Sequence, residues 1–264
     1  MALRSLYKEI GSQEWINIPE GWLQGRTIYG GLVAGILMYK ALATINDAAQ
    51  RLLSTSITFV GPVQMEKARL TAEILRKGKS VTTIEVRLWQ DDAVQSILVA
   101  SFGLPRTSNV AVKQEREAPL LALADTLEIM QFPPFAPQCF QQMDLIWAEG
   151  QPPFSGSQRS DFAGWFRFNK NFHENREMNI ADMMVAFDMW PPGILPILDK
   201  MVPASSLTWH VTYIQPLQTT LYDWMKYKVY TDSAKDGYST EYAHLWDCHD
   251  RLIAISRQTI TVFA

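Results

Sequence analysis

One feature constrains the fold of this 264-residue chain more than any other: a predicted helix that is apolar on every side. From Leu32 to Ala43 only Lys40 is charged, and apolar side chains fall on all faces of the predicted helix. A helix of this kind must be surrounded by other elements. It is shorter than the about 20 apolar residues that a bilayer requires. Predicted strands follow it, so we expect a curved antiparallel sheet to surround it.

Four successive strands are predicted after this helix. They cover residues 54–63, 68–76, 82–89 and 96–104. The third is the clearest, because Ile84, Val86 and Leu88 alternate with polar or charged residues such as Glu85 and Arg87. This period of two is typical of a strand with one buried face. One helix followed by four antiparallel strands is the pattern of the hot-dog fold.

The second half of the chain repeats the pattern. It predicts a strand over Ser160–Asn169, a helix over Arg176–Asp188, and strands over 205–217, 221–231, 238–247 and 252–263. The segment ITFVGPV matches VTYIQPL, LWQDD matches LWDCHD, and LVAS matches LIAI. Pro62 and Ala100 are 38 residues apart, as are Pro216 and Ala254. Matched residue types at matched spacing indicate an internal duplication.

The predicted fold is therefore α+β with two tandem hot-dog units, each a central helix wrapped by a curved antiparallel sheet. The units are predicted over residues 1–105 and 159–264. Residues 106–158 are predicted to be an ordered linker with turns, because they are rich in proline and contain a charge cluster. A short helical stretch is expected within it around Leu120 to Met130.

Composition and charge exclude several classes of function. The chain is 47% hydrophobic and 19% charged, with a net charge of −3 and no concentrated basic stripe, which argues against nucleic-acid binding. The two cysteines, Cys139 and Cys248, lack metal-ligand spacing and favour a reducing compartment. The first 15 residues lack the apolar core of a signal peptide, and the final residues differ from a Ser-Lys-Leu peroxisomal signal. We expect a cytoplasmic protein without a membrane partner, a metal or a bound cofactor.

Several segments in both halves resemble the acyl-CoA thioesterase II (TesB-like) family. They are GRTIYGGLVAG, the strand block through LVASFGLP, VAFDMW, SSLTWHVTYIQPL and IAISRQ, and they span about residues 25–105 and 160–264. The resemblance implies two fused hot-dog units that hydrolyse acyl-CoA thioesters to a free acid and coenzyme A. It also implies that an Asp, a Thr and a Gln hold a water beside the thioester carbonyl, with no covalent intermediate.

Carried onto this sequence, the resemblance selects Asp188 in VAFDMW, Gln258 in IAISRQ and, at the threonine position, Ser206. Serine keeps the hydroxyl of threonine and loses the methyl group. Asp188 lies in the last turn of its predicted helix, where the helix dipole disfavours a carboxylate. A solvated carboxylate or a cap for the next loop is the alternative interpretation of Asp188.

Strand alternation gives independent information on the other two residues. Gln258 shares its phase with the apolar Ala254 and Ile260, so it is predicted to point inward, where a buried amide needs hydrogen-bond partners. A purely structural glutamine bonded to the backbone is the alternative. The apolar residues of the strand predicted over 205–217, such as Trp209 and Val211, place Ser206 on the opposite face. Ser205 and Thr208 are therefore competitors, and only the resemblance selects Ser206.

The glycine-rich start of the first buried helix is a candidate oxyanion site. Unpaired N–H groups and the positive end of a helix dipole can stabilise an oxygen that carries negative charge. We predict the Gly31 amide as the donor, with tight packing of the glycines as the alternative.

Two other functions remain open. A hot-dog hydratase or dehydratase acting on acyl thioesters would need a histidine paired with an acid at a helix start, and neither predicted helix begins with such a pair. None of the four histidines lies in a nucleophile motif. A non-catalytic module that binds acyl thioesters is the third hypothesis, which the serine at position 206 allows.

We also expect a homodimer with two-fold symmetry, because the outward strand positions carry aromatic residues. The alternative is a monomer in which the linker covers the exposed sheet.

Overall fold

The computed structural model describes residues 3–110, 112 and 116–264. The helices are α1 (Leu3–Ser12), α2 (Gly30–Ile45) and α3 (Ile180–Phe187). The strands are β1 (Trp15–Asn17), β2 (Leu23–Gln24), β3 (Thr27–Ile28), β4 (Arg51–Phe59), β5 (Lys67–Lys77), β6 (Val81–Gln90), β7 (Ala93–Gly103), β8 (Met143–Glu149), β9 (Phe162–Phe168), β10 (Ala204–Tyr213), β11 (Met225–Lys235), β12 (Tyr238–Trp246) and β13 (Leu252–Val262).

Two hot-dog units join edge to edge in one sheet of eleven strands. Their order is β1-β5-β6-β7-β4-β10-β13-β12-β11-β9-β8, and all the described pairings are antiparallel. The units meet where β4 pairs with β10, with Ile57 opposite Trp209. The predicted α+β double hot-dog fold is confirmed.

Both central helices are buried in one hydrophobic core. Almost every residue of α3 and nine residues of α2 are buried together with inward side chains from both halves of the sheet. The helices also pack on each other, and Gly35 permits the close approach. A Cβ atom at Gly35 would lie 2.5 Å from Cγ2 of Val185 and 3.1 Å from the carbonyl oxygen of Ala181. None of the helices in the described ranges is long and apolar enough to cross a bilayer.

The second central helix starts later than predicted, at Ile180 rather than Arg176. Asn179 is its N-cap, and the side chain of Asn179 accepts a hydrogen bond from the backbone N–H of Asp182. The Asp182 carboxylate accepts one from the Asn179 N–H in return, which completes a capping box.

The duplicated halves are out of register in their last strands. Ala100 pairs with Thr55, whereas Ala254 pairs with Tyr213. The residue that occupies the position of Ala100 in the second half is therefore Gln258, which pairs with Trp209. LVAS and LIAI therefore do not occupy equivalent positions in the two units, because the structural equivalent of Ala100 lies four residues after Ala254. A longer turn contributes to this shift, since two residues join β6 to β7 and five join β12 to β13.

The predicted linker contains more sheet and less helix than expected. The helical stretch expected at Leu120 to Met130 is wrong, because only Ala124–Thr126 form a short 3₁₀ turn. Strand β8 lies within the predicted linker and pairs with β9 at one edge of the sheet. Its first four residues are all buried, so the period-two alternation that identifies a half-buried strand is missing.

Part of the linker lies across the outer face of the C-terminal unit. The indole N–H of Trp246 donates a hydrogen bond to the carbonyl of Arg116, and that of Trp165 donates to the carbonyl of Ala122. Residues 111 and 113–115 of the linker are outside the described part of the chain.

Candidate active site

Asp188 is held at the end of α3 by aromatic packing on both sides. Phe187 makes edge-on contacts with Trp209 and Tyr227, at centroid distances of 5.8 and 5.9 Å. Trp190 stacks on Tyr227 at 5.2 Å. These buried rings anchor the helix end to the sheet, so the carboxylate between them has a defined position.

Ser206 reaches the inner face of the sheet because β10 contains a bulge. Ser206 lies opposite Ile260, and Trp209 lies opposite Gln258, so Leu207 is an extra residue between two inward positions. Leu207 is 37% exposed. The predicted placement of Ser206 on the outer face is therefore wrong, since it assumed uninterrupted alternation through Leu207.

The structure brings Asp188, Ser206 and Gln258 together from α3, β10 and β13. Nε2 of Gln258 donates hydrogen bonds to Oδ1 of Asp188 at 2.9 Å and to Oγ of Ser206 at 3.0 Å. An amide carries two N–H donors, so both bonds can form at once. All three residues are only partly buried, which leaves the group within reach of water. The competing hydroxyl residues, Ser205 and Thr208, are exposed.

The Asp188 carboxylate lies at the N-terminal end of α2. A Cβ atom at Gly30 would be 3.0 Å from Oδ2 of Asp188, and the Gly31 backbone N–H donates a hydrogen bond to the carboxyl group. The N-cap residue of α2, Tyr29, provides no side-chain cap. Asp188 instead accepts from the Gly31 N–H, one of the first-turn N–H groups that have no partner within the helix. The Gly31 amide thus interacts with Asp188 in this structure, and its role as an oxyanion donor stays a prediction.

Burial raises the pKa of Asp188 to about 7, although the hydrogen bonds from Gln258 and Gly31 act in the opposite direction. A carboxyl group with this pKa is partly ionised near neutral pH and can both accept and release a proton.

Sequence analysis missed a second buried acid near this group, Glu241 on β12. Glu241 lies opposite Gln258, and its Oε2 accepts a hydrogen bond from the Gly193 N–H at 2.6 Å. Burial raises its pKa to about 8. The sequence contains a pattern that predicts this burial, because Glu241 alternates in phase with the apolar Ala243 and Leu245 on the same strand.

The four histidines lie away from this group. His173 bonds Gln142 at 3.0 Å, and His210 bonds Ser56 at 2.8 Å. His244 belongs to an aromatic stack with Trp246, and His249 is exposed. Within the described ranges, no three His, Cys, Asp or Glu side chains form a group that could hold a metal ion.

Comparisons with known proteins agree with the double hot-dog class that the fold and this polar group define. Residues 18–103 match the acyl-CoA thioesterase N-terminal domain, and residues 115–262 match the acyl-CoA thioesterase C-terminal domain. The chain belongs to the acyl-CoA thioesterase family. A comparison with curated proteins found no match.

Solved structures share the fold over nearly the whole chain. A hot-dog protein of unknown function from Alicyclobacillus acidocaldarius has a TM-score of 0.84 at 16% identity and covers 98% of each chain. A putative thioesterase II from Thermobifida fusca has a TM-score of 0.80 at 17% identity, covering 95% of this chain and 92% of that one. The acyl-CoA thioesterase II TesB2 from Mycobacterium marinum has a TM-score of 0.75 at 17% identity, covering 97% of each chain.

Proposed function

We propose that this protein hydrolyses acyl-CoA thioesters to a free acid and coenzyme A through a water bound by Asp188, Ser206 and Gln258. The supporting observation is the Gln258 amide, which donates to the carboxylate and to the hydroxyl at the same time. This arrangement orients both oxygen-bearing groups around one point that solvent can reach.

In the proposed reaction Asp188 accepts a proton from the water as the water oxygen attacks the thioester carbonyl. The tetrahedral intermediate then collapses, the C–S bond breaks, and the proton passes to the leaving thiolate. A thioester carbonyl is already electrophilic, so positioning the water and stabilising the oxyanion can suffice without a covalent nucleophile. The Asp188 pKa of about 7 suits a general base that works near neutral pH.

The two alternative functions considered from the sequence, a hydratase or dehydratase and a binding module, receive less support. A hydratase or dehydratase would use a histidine beside an acid, whereas His173 and His210 bond Gln142 and Ser56 instead of the acids at the site. A binding module would not need a hydroxyl at position 206, yet Ser206 keeps it within 3.0 Å of Gln258.

The decisive variant is Asp188→Asn, since the amide has nearly the same shape as the carboxylate but cannot accept the proton. We expect kcat to fall by roughly 10²- to 10⁴-fold, the usual contribution of a general base. The measurement is thiol release from a panel of acyl-CoAs of increasing chain length. The exposed Asp125→Asn variant is the control and should retain wild-type turnover.

Turnover close to the wild-type rate in a folded Asp188→Asn protein would refute the proposed role. A change in enoyl absorbance without thiol release would identify a hydratase, and binding without either signal would identify a binding module.

We also propose that two chains associate as a homodimer. The linker displays apolar side chains to solvent, among them Leu120, Leu123 and Phe135, and such exposed groups favour association. Light scattering at micromolar concentration should give about twice the 30.0 kDa mass of one chain. A mass near that of one chain, unchanged as concentration rises, would support the monomer in which the linker only covers its own sheet.

A cytoplasmic location stays a prediction. Both cysteines are free thiols, which is compatible with a reducing compartment.

A further inference from the structure

Glu241 is a buried carboxyl group without a cationic partner in the described part of the chain. It is 3% exposed, and no ion pair among the described residues includes it. It lies on the inner face of the sheet, opposite Thr231 on β11 and Gln258 on β13. A charged carboxylate without a cation is costly in such a place, so burial favours the neutral acid.

The hydrogen bond of Glu241 holds the turn that follows Asp188. Its acceptor oxygen is 2.6 Å from the Gly193 nitrogen, five residues after Asp188. Pro191 and Pro192 fix two of the intervening φ angles, and Trp190 is buried in the aromatic packing. The segment from Asp188 to Gly193 is therefore stiff, and a displacement at Gly193 would be transmitted to the carboxylate.

The space around Gly193 is tight, and a side chain there would require its neighbours to shift. A Cβ atom there would lie 3.0 Å from Oγ1 of Thr231 and 3.1 Å from Oε2 of Glu241. Thr231 Oγ1 is buried and has no hydrogen-bond partner among the described residues. The Thr231 hydroxyl oxygen thus lies next to Gly193, as Glu241 does, and it can accept a hydrogen bond from the neutral acid form of Glu241.

We propose that Glu241 is a positioning residue for the hydrolysis and that it works as a neutral acid, anchoring the turn through Gly193 so that Asp188 is held against Gln258. This inference rests on the proposed function.

The neutral form matters because a second negative charge behind Gln258 would oppose the charge that develops on the carbonyl oxygen. Among the residues that the structure describes, two titratable groups face Glu241, namely Asp188 at the end of α3 and Tyr227 on β11. Burial, and to a smaller extent the Asp188 charge, raises the pKa of Glu241 to about 8. We therefore expect turnover to decline as the pH rises through about 8, when Glu241 ionises.

The test compares pH profiles of kcat and KM for the wild type and three variants. In Glu241→Gln, the amide reproduces the shape of the neutral acid and keeps an acceptor for Gly193. It should retain kcat within about threefold at neutral pH and lose the alkaline decline. Glu241→Leu removes the acceptor and should lower kcat by about tenfold or more with little change in KM. The matched control is Ser239→Ala, which changes another buried inward side chain of β12 and should keep the wild-type profile.

An alkaline decline that persists in Glu241→Gln would overturn the inference, as would a wild-type kcat in Glu241→Leu or a lost decline in Ser239→Ala. If the leucine variant does not fold, the profile of the glutamine variant decides. If the wild type releases no thiol from any acyl-CoA, the proposed function fails. Anchoring of the turn is then tested separately by amide hydrogen exchange at Gly193, which should accelerate in Glu241→Leu and not in Glu241→Gln.

Discussion

At the scale of single residues, several interactions act in opposite directions on the ionisation of Asp188, and they can be ranked. Its position at the C-terminal end of α3 disfavours the carboxylate, and the N-terminal end of α2 favours it. Each such dipole effect contributes about 0.3–1 kcal/mol in accessible positions. Burial outweighs the favourable contacts from Gln258 and Gly31, because the pKa of Asp188 rises to about 7 despite them. Asp188 is therefore about half ionised near neutral pH, as the proposed general base requires.

Replacing Gln258 by Ala should move the acid limb of the pH–kcat profile upward. The Gln258 amide donates to the charged form of Asp188 and so lowers its pKa. Loss of this bond therefore raises the pKa of Asp188 above about 7, and a higher pH is needed to ionise the base. We also expect kcat to fall by roughly 10²-fold, because the water loses an orienting partner.

The measurement is the pH dependence of thiol release. Thr259→Ala is the control, since this neighbour faces the other side of β13. An unshifted acid limb in a folded Gln258→Ala protein would show that the amide does not act on Asp188.

At the scale of elements, the contact between α2 and α3 decides where the site forms. The two helices touch at Gly35, and this brings the end of α3 against the start of α2. Since Asp188 belongs to one helix and Gly30 and Gly31 to the other, the helix packing sets the position of the carboxylate.

Gly35→Ala should destabilise the fold by about 1–3 kcal/mol, the usual range for overpacking. The new Cβ would lie 2.5 Å from Cγ2 of Val185 and 3.1 Å from the carbonyl of Ala181. A valine in a helix has one strongly preferred rotamer, so Val185 cannot turn away at low cost. The control is Gly11→Ala in α1, where the nearest atom is 4.0 Å away.

Urea unfolding monitored by circular dichroism measures both variants. The control should be neutral or slightly stabilising, because alanine is the better helix former. Equal free energies of unfolding for Gly35→Ala and the wild type would mean that the helices can separate without cost.

At the scale of the whole molecule, buried titratable groups link stability to pH. Burial raises the pKa values of Asp188 and Glu241 to about 7 and about 8, and it lowers those of His173 and His244 to about 4. Between about pH 4 and 6.5 the two carboxyls bind more protons in the folded state and the two histidines bind fewer, so their effects oppose each other. Above about pH 6.5 the unfolded histidines lose their protons as well, so their opposing effect fades and the two carboxyls dominate.

The free energy of unfolding should therefore fall as the pH is raised from about 6.5 to about 8.5, by about 1–3 kcal/mol. The folded state holds protons on Asp188 and Glu241 that the unfolded state has already lost, so raising the pH favours unfolding. Urea titrations at several pH values measure the slope. The double variant Asp188→Asn, Glu241→Gln should remove most of it, and a slope that survives in this variant would assign the effect to other groups.

The sequence by itself determined most of the elements and the family. An apolar run on every face of α2 required a surrounding structure, and alternation along strands such as β6 placed their buried faces. These features depend on neighbours along the chain, so they can be seen without the fold. The resemblance to known thioesterase segments also selected Asp188, Ser206 and Gln258, which the structure brings within hydrogen-bond distance.

Only the tertiary structure decided which faces and partners these residues have. The bulge at Leu207 turns Ser206 inward, and it depends on how β10 pairs with β13. The environment of Glu241 depends on three segments that are remote in sequence, including Gly193 and Gln258. Strand β8 gave no alternating pattern because both of its faces are covered. Pairing register, burial and charge environment depend on contacts between distant residues, and local periodicity carries no information on them.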